Sequence, residues 1–114
     1  MSFNTLEELA VFLRNFAAER GWEPFHSPKN LAMALSVEAA ELTEHFQWLT
    51  ERQSLELDET QREAVALEMA DVLIYLVRMA DRLDIDLLAA ARHKVVLNAK
   101  KYSVAQYQNE NLKS

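Results

Sequence analysis

A scarcity of turn-forming residues is the feature that most limits how this chain can fold. Gly21 is the single glycine among 114 residues, and both prolines, Pro24 and Pro28, lie within seven positions of it. Hairpins depend on glycine for positive-φ turns, and proline interrupts helices, so both kinds of break are confined to one short segment. The composition excludes an all-β fold and predicts helices on either side of residues 21–28.

Apolar residues recur at intervals of three and four in four segments, the spacing that predicts amphipathic helices. Each predicted helix begins after a residue whose side chain can cap free backbone amides. The predicted helices are 5–20, about 28–49, about 59–83 and about 87–102. The polar segment 50–57 is expected to be irregular. We predict one all-α domain over residues 1–114, a four-helix bundle-like core over about 5–102 with a polar tail over 103–114.

Charge and composition exclude several kinds of partner. Eighteen acidic residues against twelve basic ones give a net charge of −6, the wrong sign for coating a nucleic-acid polymer. The absence of cysteine excludes disulfides and thiolate metal sites. The longest apolar run, 72–77, is far shorter than the ~20 residues that cross a bilayer, and the N-terminal residues lack the basic start of a signal peptide. We therefore predict a cytoplasmic protein that binds neither nucleic-acid polymer nor membrane.

The third predicted helix carries apolar side chains around most of its circumference. From Ala64 to Ala80 its charged residues are Glu68, Asp71 and Arg78. A domain of this size buries only about 65 % of its unfolded-chain surface, too little to enclose one of its own helices on all sides. We therefore predict a homo-oligomer, at least a dimer, with subunit contacts along this helix.

Two pairs of carboxylates stand three residues apart on the second and third predicted helices. Glu38 and Glu41 form one pair, and Glu68 and Asp71 form the other. Residues three apart are neighbours on a helix surface, and core-type residues flank both pairs. If the helices pack antiparallel, four partly buried like charges converge, and a cation resolves their repulsion. Because all the ligands are oxygen atoms, the pattern predicts Mg²⁺ or Mn²⁺ rather than Zn²⁺.

Other interpretations of the acidic residues lead to different chemistry. One such pair alone is usually part of a solvated helix face. A di-iron bundle needs Glu-x-x-His on two helices, and the single occurrence here, Glu23 to His26, is interrupted by Pro24. In a third interpretation the carboxylates of a non-catalytic helical module steer a basic partner.

The last predicted helix carries a polar stripe suited to phosphate oxygens. Lys94, Asn98 and Lys101 lie at positions i, i+4 and i+7, so they share one face of the helix. Two ammonium groups and an amide opposite a carboxylate cluster can bind phosphates that extend from a metal. Lys100 lies away from this face and is interpreted as an ordinary cation of the last helical turn.

Aromatic and neighbouring side chains are candidates for binding a planar ring. Trp22 lies in the loop after the first predicted helix, and Trp48 lies at the end of the second. Stacking on such rings contributes about 1–3 kcal/mol per base. Tyr75 lies one turn beyond Asp71, and His26 shares the loop of Trp22. We include Trp22, His26, Trp48 and Tyr75 among the substrate-binding candidates.

Four segments in combination carry a family resemblance. They are WEPFHSPKNL at 22–31, EAAEL at 38–42, FQW at 46–48 and EMADVLIY at 68–75. The combination resembles the all-α nucleotide pyrophosphohydrolases, and within them the MazG-like dCTP pyrophosphatase group. The resemblance covers roughly residues 5–102. Where many members carry a further acidic residue before the first glutamate, this chain has Val37, so the number of metal ions stays open.

The resemblance implies an enzyme that hydrolyses a nucleoside triphosphate to the monophosphate and pyrophosphate with Mg²⁺ in a house-cleaning role. It implies dCTP or a modified dCTP as the substrate and a dimer of dimers as the assembly. The implied metal ligands are Glu38, Glu41, Glu68 and Asp71. The implied substrate contacts are Lys94 and Asn98 for the phosphates and Trp22, Trp48 and Tyr75 for the nucleoside.

In the mechanism we predict, metal-held carboxylates activate a water molecule that attacks the α-phosphorus, and Lys94 offsets charge on the leaving pyrophosphate. Glu41 and Glu38 are the catalytic candidates, with Glu41 preferred as the proton acceptor. The alternative within this chemistry is another nucleotide, dUTP or phosphoribosyl-ATP. A panel of substrates separates these possibilities.

Overall fold

The computed structural model describes residues 2–105, which are helical and contain no β-strand. The helices are α1 Leu6–Glu19, α2 Pro28–Glu44, α3 Glu51–Leu55, α4 Glu59–Arg82 and α5 Leu87–Lys101, with a 3₁₀ turn at Glu23–Phe25. The predicted all-α fold class is confirmed. Most of the predicted polar tail, residues 106–114, lies outside the described residues.

Side-chain caps fix the start of each long helix. Thr5 Oγ1 accepts a hydrogen bond from the Glu8 amide at 3.1 Å, and Ser27 Oγ accepts one from the Asn30 amide at 3.1 Å. Asp58 and Asp86 cap α4 and α5 in the same way. These caps satisfy amides that have no partner within the helix, which is why the predicted starts are confirmed. After α1 the chain turns at Gly21, whose φ of 65° is one that L side chains rarely adopt.

The segment after α2 differs from the prediction in two ways. The helix expected to reach residue 49 ends at Glu44, where the chain passes to tighter turns: the His45 amide donates to the Leu42 carbonyl at 3.2 Å and the Phe46 amide to the Thr43 carbonyl at 2.9 Å. Residues 50–57, expected to be irregular, contain α3. A capping box between Thr50 and Gln53 stabilises this short helix. Its stability comes from its ends and not from an apolar face, so hydrophobic periodicity did not reveal it.

The chain divides into two compact units, Met1–Asp84 and Ile85–Ser114. In the first unit α4 packs against α2 and α1. The buried apolar side chains of this unit come from all three of these helices and are Leu9, Ala17, Leu31, Val65, Val77 and Ala80. In the second unit α5 is the described helix, and it has no buried residue.

Helix α4 leaves large apolar side chains uncovered in the single chain. Val65 and Val77 are buried, but Leu67 is 65 % exposed and Met69 is 56 % exposed, and Leu73 is also exposed. The packing of α1 and α2 therefore covers only part of this helix, as its nearly continuous apolar circumference suggests. Among residues 2–105, no helix has both the length and the apolar character needed to cross a bilayer.

Candidate metal centre and adjoining cavity

Three glutamates from two packed helices converge on one point. Glu38 and Glu41 lie one turn apart on α2, and Glu68 lies on α4. Each offers one carboxylate oxygen, and these three oxygens lie within 4.8 Å of one another. Because α4 packs directly on α2, two i, i+3 pairs that are distant in sequence come to face each other. Asp71, the fourth predicted ligand, lies outside this group of three and lines a neighbouring cavity.

The three carboxylates strongly perturb one another's protonation. Hydrogen bonding with Glu41, burial and repulsion by neighbouring carboxylates together raise the pKa of Glu68 to about 7. The same interaction with Glu68 lowers the pKa of Glu41. Burial, followed by the interaction with Glu41, raises the pKa of Glu38. Near neutral pH Glu68 is therefore protonated in part of the molecules, which relieves part of the repulsion among the charges of the cluster.

The cluster fits a hard divalent cation. Among residues 2–105, Oε2 of Glu38 is a buried side-chain oxygen without a hydrogen-bond partner. An unpaired buried oxygen is costly, and a cation held by all three glutamates would satisfy it and displace the shared proton. The donors are all carboxylate oxygens, which such cations prefer. The geometry and chemistry of Glu38, Glu41 and Glu68 thus agree in indicating a metal centre.

The raised pKa of Glu68 predicts how stability depends on pH in the presence of a chelator. The folded state favours the protonated form of Glu68. Its contribution to the stability of the fold is therefore complete below the ordinary pKa of 4.5 and is lost as the pH rises through about 7. With EDTA, the wild type is therefore expected to lose stability relative to Glu68→Gln between pH 5 and pH 8. Saturating Mg²⁺ should remove the loss. Thermal unfolding with chelator and with Mg²⁺ measures both effects.

The comparison with Glu68→Gln isolates this contribution from those of other groups. The pKa of His26 is lowered, so its effect on the free energy of unfolding is to raise stability as the pH rises. This is opposite in sign to the effect of Glu68. The matched control is Glu63→Gln, an exposed glutamate of the same helix. A wild type that gains stability over Glu68→Gln across this interval would contradict the prediction.

A cavity of about 320 Å³ adjoins the acidic cluster within the first unit. It lies among α1, α4 and the loop that follows α1, and most of its lining is aromatic or aliphatic. The polar or aromatic residues that line it include Phe12, Phe16, Trp22, His26, Asp71, Tyr75 and Arg78. A volume of this size and an aromatic wall are typical of sites for small planar ligands.

Successive ring contacts form one wall of the cavity. Ring centroids are 5.5 Å apart for Phe3 and Phe12, and 6.1 Å apart for Phe12 and Phe16. The series continues from Phe16 to Trp22 at 5.7 Å and from Trp22 to His26 at 5.9 Å. Tilted and edge contacts at these distances hold each ring in place. The wall can therefore present a defined surface to a planar ring.

The structure places the predicted substrate-binding residues in different surroundings. Trp22, His26 and Tyr75 line the cavity together with Asp71. Trp48 is 87 % exposed and is not among the lining residues of this cavity within residues 2–105. The first three candidates thus share one site, and the ring of Trp48 is open to solvent in the single chain.

The polar stripe predicted on the last helix lies in the second unit. Lys94, Asn98 and Lys101 are exposed on α5 and share one face by helical spacing. The backbone carbonyl of Asn98 accepts a hydrogen bond from the Tyr102 amide at 2.8 Å, which ends the helix. The side chains of the stripe are thus presented on a well-capped helix.

Sequence reasoning missed a group of charged residues beside the cavity. Arg78 is only 3 % exposed, and its Nη1 donates to Asp81 Oδ2 at 3.0 Å. Asp81 also accepts from Arg14 Nε at 3.0 Å, and hydrogen bonding with Arg14 lowers the pKa of Asp81. The signal that could have revealed this group is a lone arginine in an apolar stretch with an aspartate three residues later.

Comparison with known proteins provides independent information about the chain. The model of the MazG-like family matches residues 33–113. The dCTP pyrophosphatase 1 of Homo sapiens is 45 % identical over 100 residues, which are 86 % of this chain and 59 % of that protein. The dCTP pyrophosphatase 1 of Mus musculus is 44 % identical over 102 residues, 88 % of this chain and 60 % of that protein. The chain thus spans about three fifths of the length of these curated relatives.

A solved structure is also similar over nearly its whole length. It is a pyrophosphatase from Archaeoglobus fulgidus that superposes with a TM-score of 0.82 and 40 % sequence identity. The similarity covers 90 % of this chain and 96 % of that one. The residues matched by the family model, 33–113, include the three glutamates of the cluster.

Proposed function

The chain belongs to the MazG-like family, and from this membership we propose that it is a metal-dependent nucleoside triphosphate pyrophosphohydrolase. It converts a deoxynucleoside triphosphate and water to the monophosphate and pyrophosphate, with dCTP or a modified dCTP as the preferred substrate. The observation that carries the proposal is the convergence of Glu38, Glu41 and Glu68 beside an aromatic-lined cavity. The relatives that are named dCTP pyrophosphatase 1 support the choice of base.

The metal we propose is Mg²⁺, with Mn²⁺ as a substitute, held by Glu38, Glu41 and Glu68 with Asp71 as the fourth ligand. When bound, such an ion supplies positive charge that offsets the phosphate charge and makes water more acidic. The cluster fits this function because its glutamates repel one another and leave one oxygen unpaired among the described residues.

Glu41 is proposed as the residue that accepts a proton in the reaction. Hydrogen bonding with Glu68 lowers its pKa, so its carboxylate is ionised at neutral pH. Glu41 takes a proton from the attacking water as the water oxygen bonds to the α-phosphorus. The bond from the α-phosphorus to the bridging oxygen breaks, and pyrophosphate leaves with that oxygen. Glu38 supports this step as the second catalytic candidate by orienting the water.

The polar stripe on α5 is proposed to bind the phosphates. Lys94 and Asn98, with Lys101 one turn further on, present donors that match the oxygens of a triphosphate. Lys94→Ala is expected to raise KM and lower kcat, whereas Lys100→Ala should resemble the wild type. Lys100 is the matched control because it lies about 120° around the helix from Lys94. Equal losses of activity in the steady-state kinetics of the two variants would show that this stripe does not bind the phosphates.

The aromatic cavity is proposed to bind the nucleoside, with contributions from Trp22, His26 and Tyr75. Trp22→Ala is expected to raise KM for dCTP at least about fivefold, because stacking contributes about 1–3 kcal/mol per base. Steady-state kinetics measures the change. The control is Phe25→Ala, an exposed ring of the same loop that does not line the cavity within residues 2–105. Equal KM values for Trp22→Ala and the wild type would exclude stacking on Trp22.

We propose that the active form is a dimer of dimers in the cytoplasm. The exposed side chains Leu67, Met69 and Leu73 on α4 support self-association, because each leaves apolar surface in water whose burial is favourable. Trp48 is exposed in one chain, which is consistent with a site completed by a second copy. Sedimentation equilibrium at micromolar concentration tests the assembly. An active species at the 13.1 kDa of a single chain would contradict it.

The substrate is tested by measuring pyrophosphate release from all common ribo- and deoxynucleoside triphosphates with Mg²⁺. The highest kcat/KM is expected for dCTP, and EDTA should abolish the release. Preferential hydrolysis of dUTP or of purine triphosphates would overturn the choice of base. No release from any nucleotide would overturn the proposed function and favour a non-catalytic helical module.

A further inference from the structure

A buried arginine contacts the ring of His26 at the edge of the cavity. Arg78 lies on α4 and lines the cavity, and its Nε donates to His26 Nδ1 at 3.2 Å. Its side chain is 4 % exposed, so almost no water competes for its donors. The Nη1 group donates to Asp81, which supplies the negative charge that a buried guanidinium needs. The direction of Arg78 is therefore fixed by its ion pair before any ligand enters.

A second arginine, one turn further along α4, holds the backbone of the same residue. Arg82 Nε donates to the His26 carbonyl oxygen at 3.1 Å. The ring and the backbone of His26 are thus each bound by one arginine of α4. Neither contact involves the acidic cluster. This pair of contacts attaches the loop after α1 to α4 at the point where His26 lines the cavity.

The contact with Arg78 determines which ring nitrogen of His26 carries the proton. A guanidinium group only donates hydrogen bonds, so Nδ1 must accept, and the proton of the neutral ring resides on Nε2. Burial, with the positive charges of Arg78 and Arg82, lowers the pKa of His26 and keeps the ring neutral. Within residues 2–105, the hydrogen bonds of His26 are those with Arg78 and Arg82 and the one from its amide to the Glu23 carbonyl, and none of them uses Nε2. The free donor of His26 is therefore available to a ligand.

We propose that Arg78 and Arg82 are positioning residues that hold His26 as a fixed Nε2–H donor, and that this donor binds an acceptor atom of the nucleobase. The inference rests on the proposed function for the identity of the ligand, and on the described contacts for the arrangement of His26. A preset donor loses no orientational freedom on binding, so its contribution appears in affinity for the nucleotide.

The kinetic test compares Arg78→Met, Arg78→Lys and Arg62→Met with dCTP and Mg²⁺ at pH 8. Arg78→Met is expected to raise KM about tenfold with kcat within about threefold of the wild type, the loss typical of one hydrogen bond. Arg78→Lys keeps the positive charge beside Asp81 and should raise KM by a smaller factor. Arg62→Met removes an exposed arginine from the same helix and should leave both parameters unchanged.

The arrangement of His26 is tested separately by long-range ¹H–¹⁵N correlation spectra of the full chain, assigned with His26→Gln. The wild type should show a single Nε2–H tautomer for His26, whereas the exposed His93 should show an averaged pattern and serves as the internal reference. Arg78→Met should change the His26 pattern to the averaged one. A wild-type His26 that is averaged or protonated on Nδ1 would overturn the proposal.

The two measurements distinguish failure of this inference from failure of the proposed function. An unchanged KM in Arg78→Met, or a loss confined to kcat, would overturn binding of the base by His26 even if the tautomer is fixed. If Arg78→Met does not fold, the KM of Arg78→Lys is compared with that of the wild type instead. A wild type that hydrolyses no nucleotide would overturn the proposed function and the binding of the base together, whereas the spectra still decide whether His26 is fixed.

Discussion

Glu41→Gln is expected to lower kcat for dCTP by at least about 100-fold while the fold stays as stable as that of the wild type or becomes more stable. Glutamine cannot accept the proton of the attacking water, and it is a poorer metal ligand than a carboxylate. Removing one charge from the cluster also relieves repulsion with Glu38 and Glu68 when no metal is present. Steady-state kinetics and thermal unfolding measure the two effects.

The matched control for this variant is Glu44→Gln, an exposed glutamate one turn further along α2. It should retain the activity of the wild type. Asp71→Asn is expected to lose activity as Glu41→Gln does, although Asp71 lies outside the group of three and lines the cavity. Activity near that of the wild type in Glu41→Gln would show that the cluster does not take part in the reaction.

Asp81→Ala is expected to be the most destabilising single substitution among those proposed. It leaves Arg78 almost fully buried without an anionic partner, and breaking a buried pair in this way costs about 3–5 kcal/mol. Arg14→Ala removes the other partner of Asp81, but Arg14 is 53 % exposed, so its loss should destabilise the fold far less. Chemical denaturation of both variants measures the difference, and equal small losses would contradict this account of Asp81.

Asp81 makes the stability of the fold depend on pH in a direction that can be stated. Hydrogen bonding with Arg14 lowers the pKa of Asp81 below its ordinary value of 3.8. Its contribution to stability is therefore complete above that value and is lost as the pH falls through the lowered pKa. Asp81→Asn should unfold less steeply with acid than the wild type. Acid titration of the unfolding transition checks this difference.

Much of the fold follows from local patterns in the sequence. The capping residues Thr5, Ser27, Asp58 and Asp86 mark the starts of the long helices where the structure has them, because each cap acts within three residues of its own position. The end of α2 and the presence of α3 were not predicted. The first depends on a change to tighter turns and the second on a capping box. Neither feature produces an apolar periodicity in the sequence.

The acidic cluster and the arginine group differ in how visible they are in the sequence. Glu38, Glu41 and Glu68 belong to i, i+3 pairs on apolar helices, so their convergence could be expected once two helices packed together. The contact from Arg78 to His26 joins residues 52 positions apart, and only the packing of the loop on α4 brings them together. Local sequence patterns do not predict such a contact.

We propose that this helical domain uses its glutamate cluster to hydrolyse a nucleoside triphosphate between the α- and β-phosphates. The most direct test is ³¹P NMR of the products formed from dCTP and Mg²⁺ in ¹⁸O-enriched water. The expected products are dCMP and pyrophosphate, with the heavy oxygen in dCMP and no reaction for Glu41→Gln. Formation of dCDP and inorganic phosphate, or heavy oxygen in pyrophosphate, would contradict it.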